Sequence, residues 1–191
     1  MNNMFKVGFL FLSAVIFMFT VIPQNASASV KSNTKTNEEL FESLGGLDQE
    51  TLDMFNELDK YRIELEDGSF KLDVTTAELE GVQSEVLNVI NIVNGMVKDV
   101  DGEISALALF SIGSYGNYCG KGNNGYDKKP IDDLDSACRD HDKCFKGWND
   151  ASIPCNQVFV GKLLVIVQAT SAVSDKGAYA RAAVYLFKSW I

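Results

Sequence analysis

The sequence predicts an all-α protein in which two antiparallel helices are tied together by disulfides and preceded by a helical extension. Three observations predict it. Apolar residues step by three and four from Leu79 to Val97, as they do along one face of a helix. All four cysteines fall within 37 residues, between Cys119 and Cys155. No segment shows the sustained apolar–polar alternation of a half-buried strand, so no strand is expected.

The first element is an address label. Lys6 gives a positive start, residues 7–22 are almost wholly apolar, and Ala26-Ser27-Ala28 supplies the small-residue pattern a signal peptidase cuts after. Residues 1–28 are therefore expected to be a signal peptide removed near Ala28, leaving a secreted chain that starts near Ser29. The alternative is an uncleaved anchor, but the sixteen-residue apolar run falls short of the roughly 20 needed to cross a bilayer.

Residues 29–102 are expected to form an acidic helical extension. Its start, residues 29–37, is a polar leader. Leu40, Phe41 and Leu44 make a short apolar patch closed by Gly45-Gly46, and Leu52, Phe55 and Leu58 repeat until the Asp67-Gly68 turn, which predicts two helices. Thr75 followed by Glu78 matches a capping box that would open one long helix carrying Leu79, Val82, Val86, Ile90, Val93 and Val97 on a single face. Residues 38–103 hold 18 acidic and 4 basic side chains, whereas residues 104–191 hold 8 and 10. With a net charge of −9 and no cluster of Lys and Arg to neutralise phosphates, nucleic acid is excluded as a partner.

Residues 103–191 are expected to form the second domain. An apolar segment, residues 104–112, leads into a glycine-rich stretch. After Pro130, Asp132 and Asp133 supply negative charge at a helix start, and the segment runs without a breaker to Gly147. A further helix is expected from Asn156 to about Ser171, and a last one from Asp175. Lys162 interrupts the apolar residues 158–167, which favours a core helix over a membrane span.

An even cysteine count in an exported chain argues for two disulfides. Cys119, Cys138, Cys144 and Cys155 allow three pairings, and their spacing does not choose among them. The chain's single histidine lies in Cys138-Arg139-Asp140-His141-Asp142-Lys143-Cys144. At about 100° per residue, Cys138 shares a helix face with His141 and Asp142, and Cys144 lies a turn beyond His141. A bridge from Cys138 to Cys119 would dock the glycine-rich loop beside Asp142. A bridge from Cys144 to Cys155 would bring Asn156 alongside His141. Of the three pairings, this one organises a site.

The loop from Tyr115 to Gly125 carries four glycines, which let backbone carbonyls turn inward. Carbonyls and a carboxylate such as Asp142 are the donors calcium takes. Cys138, His141 and Cys144 as zinc ligands are the competing reading, weakened by export and by the paired fourth cysteine. Asp132, Asp133 and Asp135 read as helix-start charges, and Trp148 and Trp190 receive no site role.

Residues 115–145 resemble the secreted phospholipase A2 family. Its signature runs Tyr-Cys-Gly-x-Gly, Pro-x-Asp-x-x-Asp and Cys-x-x-His-Asp-x-Cys, and here these are Tyr118 to Gly122, Pro130 to Asp135 and Cys138 to Cys144. The resemblance implies a phospholipase A2-like core of two disulfide-linked helices with a calcium loop. It implies Ca2+ held by the carbonyls of Tyr118, Gly120 and Gly122 with the Asp142 carboxylate. It implies His141 as general base, with Asn156 as its partner, in hydrolysis of the sn-2 ester of a glycerophospholipid to a fatty acid and a lysophospholipid. The expected partner is a phospholipid membrane or micelle surface as substrate, with no stable protein partner. Asn156 stands where the family carries an aspartate, so a slower enzyme is expected. Phe145 replaces a common tyrosine. Ala137 and Asn117 replace cysteines of many animal members, and ten residues separate Cys144 from Cys155, which points to short, wing-less relatives.

Two rival readings follow. Asn156 and Phe145 motivate a secreted module that keeps the fold and binds calcium or a partner without turnover. The acidic residues 38–103 could themselves be the functional part, though no motif supports that. For this segment the working hypothesis is a cap or pro-segment that shields the basic portion from lipid.

Overall fold

In the computed structural model, residue 42 and residues 46–66, 68–97, 113–120, 127–147 and 149–191 are described. The signal-like segment, the polar leader, the patch at Leu40, Phe41 and Leu44, residues 104–112, Gly122 and Trp148 lie outside them. All the described residues belong to one unit spanning residues 35–191.

Helix α1, Gln49–Lys60, starts where the Asp48 side chain accepts from the Thr51 N–H at 2.7 Å, satisfying a donor that the first turn leaves unpaired. It buries Met54, Phe55 and Leu58. An antiparallel hairpin follows, β1 (Arg62–Glu64) paired with β2 (Phe70–Leu72). This corrects the expectation of no strands. Each strand is three residues long, too short for alternation to stand out, although Phe70 and Leu72 point inward and Lys71 outward. The Asn94 side chain completes the hairpin's edge, accepting from the Leu72 N–H and donating to the Leu72 carbonyl, both at 2.8 Å.

The single long helix expected from Thr75 is two helices, α2 (Val74–Glu80) and α3 (Ser84–Val97). Asp73, not Thr75, caps α2, accepting from the Thr76 N–H and hydroxyl. Gly81, in the left-handed region at φ 69°, ends it. Leu79 is consequently 83% exposed and drops out of the stripe, while Val86, Val89, Ile90 and Val93 of α3 are buried.

Helix α4, Asp133–Cys144, is capped by Asp132, which accepts from the Asp135 N–H at 3.0 Å. Helix α5, Ile153–Ala169, begins earlier than expected because Pro154 sits in its first turn, where a missing N–H costs nothing. Helix α6, Asp175–Phe187, capped by Ser174, runs into the 3₁₀ turn Lys188–Trp190. The Cys144–Cys155 bridge, the His141–Asn156 contact and the ion pair from Lys162 to Asp140 succeed one another up α5 and down α4. The two helices are therefore antiparallel, as the sequence predicted.

Helix α5 packs on both α4 and α6 and buries Phe159, Val160, Leu163, Leu164, Ile166 and Val167. With the 3₁₀ turn before it, the stretch Asp150–Ala169 is long and apolar enough to cross a membrane by composition, but half of it is buried inside the protein, while Val158 and Val165 stay exposed. Helix α6 is buried along most of its length and also packs against α3. The Tyr185 ring meets the edges of Phe55 at 5.3 Å and Phe70 at 6.1 Å, and its hydroxyl donates to Asp59 at 2.6 Å. The expected boundary between residues 102 and 103 falls outside the described residues, and the helices on its two sides share one hydrophobic core.

Candidate active site

Two disulfides fix the site. Cys119 pairs with Cys138 and Cys144 with Cys155, at Cα separations of 5.0 and 5.7 Å. This is the pairing that organises a site. No cysteine is free, so a thiolate zinc site lacks its ligands. The short connection between α4 and α5 is held by Ser152, whose hydroxyl accepts from the Lys146 N–H at 2.9 Å and donates to the Gly147 carbonyl at 2.6 Å.

His141 sits on the inner face of α4, 9% exposed. Its ring stacks on Phe159, with centroids 4.5 Å apart and planes 23° apart, and it meets Phe187 at 5.0 Å and Phe145 at 5.3 Å. Its Nε2 lies 2.9 Å from Asn156 Oδ1, and Asn156 Nδ2 donates to the Trp190 carbonyl at 2.9 Å. A carbonyl can only accept, so it fixes which end of the amide is the donor. The amide oxygen can only accept, so Nε2 carries the ring hydrogen. That leaves the Nδ1 lone pair, which has no hydrogen-bond partner among the described residues, to receive a proton. Burial pulls the imidazole below its ordinary pKa, and the hydrogen bond with Asn156 works the other way.

Asp142 follows on the exposed side of α4. No hydrogen bond or ion pair from a described residue reaches its carboxylate, and the desolvation imposed by surrounding protein pushes its pKa up to about 6. A carboxylate with no cation partner among the described residues, one helical turn beyond the Cys138 that is bridged to Cys119, is a donor that suits an oxygen-preferring divalent cation. Among the described residues there is no group of three or more His, Cys, Asp or Glu side chains that could hold a metal by themselves.

The loop is set by Asp135. Its carboxylate is fully buried and accepts from three backbone N–H groups, those of Asn117 (2.9 Å), Tyr118 (2.8 Å) and Ile131 (2.9 Å). Gly116 is required here, because a Cβ on it would lie 2.4 Å from the Asp135 Cγ. Gly120, at φ 102°, passes so close to the Gly113 carbonyl that a Cβ would lie 2.3 Å from it. Tyr115 and Cys119 exchange backbone hydrogen bonds at 3.0 and 3.1 Å, closing the turn that carries Tyr118. The Tyr118 hydroxyl donates to the Lys128 carbonyl at 2.6 Å, and Tyr115 donates to Asp132 at 2.5 Å. Tyr179 on α6 donates to the Gly113 carbonyl at 3.1 Å, tying the loop's start to the core.

Of the residues the sequence singled out, His141 and Asn156 are in contact, Tyr118 and Gly120 adjoin Cys119, and Cys119 is bridged to Cys138, one helical turn before Asp142. Gly122 lies outside the described residues. The sequence reading missed three participants. Asp135 passed as a helix-start charge, although its place between Pro130 and Cys138 in the motif was a usable signal. Phe159, three residues beyond Asn156, could have been placed on the same helix face. The Trp190 carbonyl had no signal, since a backbone oxygen carries no residue identity.

Fold and site together define an all-α, disulfide-tied protein with a histidine–amide pair at the foot of a glycine-rich loop. Residues 91–182 match the family model described as phospholipase A2. Similar curated proteins include the probable phospholipase A2 homolog 1 of Oryza sativa subsp. japonica, 46% identical over 57 residues, which cover 29% of this chain and 41% of the relative. Phospholipase A2 AP-PLA2-I of Acanthaster planci is 34% identical over 79 residues, covering 40% and 46%. Phospholipase A2 of Ovis aries is 43% identical over 53 residues, covering 28% and 39%. The chain spans less than half the length of each of these relatives. No solved structure matches it. The family model and these relatives together support a phospholipase A2-type domain over residues 91–182.

Proposed function

We propose that this chain is a secreted, calcium-dependent phospholipase A2 that cleaves the sn-2 ester of glycerophospholipids at a membrane or micelle surface. The observation that carries the reading is the 2.9 Å contact of His141 Nε2 with Asn156, which leaves Nδ1 without a hydrogen-bond partner among the described residues, one residue from a carboxylate that none of them pairs. His141 Nδ1 takes a proton from a water molecule as its oxygen attacks the ester carbonyl. The acyl C–O bond then breaks, and the imidazolium returns its proton to the departing lysophospholipid oxygen. General-base assistance of this kind contributes about 10²–10⁴-fold.

The carbonyls of Tyr118, Gly120 and Gly122 with the Asp142 carboxylate would hold calcium, which when bound supplies charge stabilisation for the oxyanion. The Gly120 N–H offers the same oxygen a hydrogen bond. Phe145, Phe159 and Phe187 hold the ring in place and keep bulk water from its buried edge. Asn156 orients the imidazole but brings no negative charge to balance an imidazolium, so turnover is slower than an aspartate would give. Residues 1–28 act as the signal peptide.

The test is release of fatty acid from phospholipid vesicles by the mature chain, with and without calcium. Activity indifferent to chelation would overturn the metal role. Asn156 and Phe145 favour a second reading, a calcium- or partner-binding module on the same fold, and calcium uptake without lipid cleavage would support it.

A further inference from the structure

The Asn156 side chain is buried, 3% exposed, and both ends of its amide are used. Oδ1 accepts from His141 Nε2 and Nδ2 donates to the Trp190 carbonyl, each at 2.9 Å. The two contacts are coupled, because an amide flipped by 180° would set its NH2 against the ring hydrogen and its oxygen against the carbonyl. A carboxylate could also accept the imidazole N–H, and would add charge, but its second oxygen would then face the Trp190 oxygen. Asparagine is therefore the side chain that suits both neighbours, and more than a weakened aspartate.

The turn that presents this carbonyl is anchored to the same aromatic group that holds the histidine. The Trp190 indole packs edge-on against Phe187 at 5.3 Å, and Phe187 packs edge-on against His141 at 5.0 Å. The Ser189 hydroxyl donates to the Leu186 carbonyl at 3.2 Å, closing the turn onto the end of α6. A cavity of about 300 Å³ bordered by Ser152, Ile153, Asn156, Ser189 and Trp190 lies beside the contact. It gives the turn room to lift and water a path to the freed amide.

We propose that the Lys188–Trp190 turn is a positioning element for the histidine: the Trp190 carbonyl sets the orientation of the Asn156 amide, and the amide sets the His141 tautomer. Its consequence for turnover rests on the phospholipase reading, but the tautomer is measurable without any substrate.

The chain has one histidine, so ¹⁵N spectra of the full, histidine-labelled chain report that ring alone. Recorded with the imidazole neutral, the wild type should show hydrogen on Nε2. Trp190→Gly removes the indole anchor while leaving His141 and Asn156 in place. It should populate the Nδ1–H form and lower kcat about tenfold with little change in KM, because the base then lacks a free lone pair toward the substrate. Asn156→Asp is the second variant, and should speed hydrogen exchange of the 188–190 amides about tenfold as the turn loses its donor. An unchanged tautomer in Trp190→Gly, or wild-type exchange at the turn in Asn156→Asp, would overturn the proposal. If the tautomer shifts as expected but the wild type cleaves no phospholipid, the positioning role stands and the enzymatic reading falls.

Discussion

The Asp135 carboxylate on α4 stands 2.8 Å from the backbone N–H of Tyr118 and is fully buried, so the loop's shape depends on a charge within the core. Its two oxygens divide the work: Oδ1 takes the Asn117 and Tyr118 N–H groups, and Oδ2 takes that of Ile131. In Asp135→Asn one of those oxygens becomes an NH2 facing a backbone donor. Hydrogen bonds to charged groups contribute about 1.5–3 kcal/mol each, so a loss of roughly 2 kcal/mol or more is expected. Urea unfolding should show it, and calorimetric titration with calcium should show weakened binding, because the loop that carries Tyr118 and Gly120 loosens. Wild-type stability in the variant would refute the anchoring role.

At the site itself, His141→Ala should lower vesicle hydrolysis about 10²–10⁴-fold. The circular dichroism spectrum should stay that of the parent. Asp142→Lys should abolish both calcium uptake and hydrolysis, since it places a cation where one must bind. Hydrolysis that survives either change would remove that residue from the mechanism.

The fold's outline was legible because its signals are local. The negative charge of Asp132 and Asp133 at a helix start, an unbroken run to Gly147 and cysteines a helical turn from His141 are all read from neighbours in sequence. What escaped is set by distant contacts or by brevity. The hairpin at Arg62–Glu64 and Phe70–Leu72 exists because Phe70 packs on Tyr185 and Leu72 is paired by Asn94. The helix break at Gly81 was hidden because Leu79 and Val82 continue an apolar rhythm that one glycine interrupts without erasing. In the site, side-chain chemistry marked His141, Asp142 and Asn156, whereas the Trp190 carbonyl lies 34 residues from its partner and is generic backbone.

Asp132 links stability to acid. Burial works to raise its pKa, but the Asp135 N–H, the Tyr115 hydroxyl and Lys176 outweigh burial and hold the carboxyl below its ordinary value. The unfolded chain, with a value of about 3.9, therefore takes up a proton more readily than the folded one. The stability this group contributes is complete above that value and is lost as pH falls through the folded value. Asp132→Asn should be less stable than the wild type at pH 7, with the gap closing toward pH 2. Urea midpoints across a pH series would check it, and a gap that persists at pH 2 would refute it.

The acidic extension was expected to be a removable cap, and its packing yields a sharper expectation. Arg181, buried in α6, donates to the Thr51 hydroxyl of α1 at 3.0 Å and to the Thr170 carbonyl at 3.1 Å. Tyr185 donates to Asp59 at 2.6 Å, and Gln168 donates to the Gly46 carbonyl at 3.1 Å. Beneath these contacts Phe55, Leu58, Val89 and Ile90 occupy the same core as Val184 and Tyr185. Removing residues 29–97 would bare an apolar flank of α6, the helix on which α5 rests and to which Tyr179 ties the loop. The truncated chain should lose cooperative unfolding and hydrolysis together. The single change Tyr185→Phe should cost about 1 kcal/mol with activity retained. A truncated chain that melts cooperatively and cleaves vesicles at the full-length rate would restore the removable-cap reading.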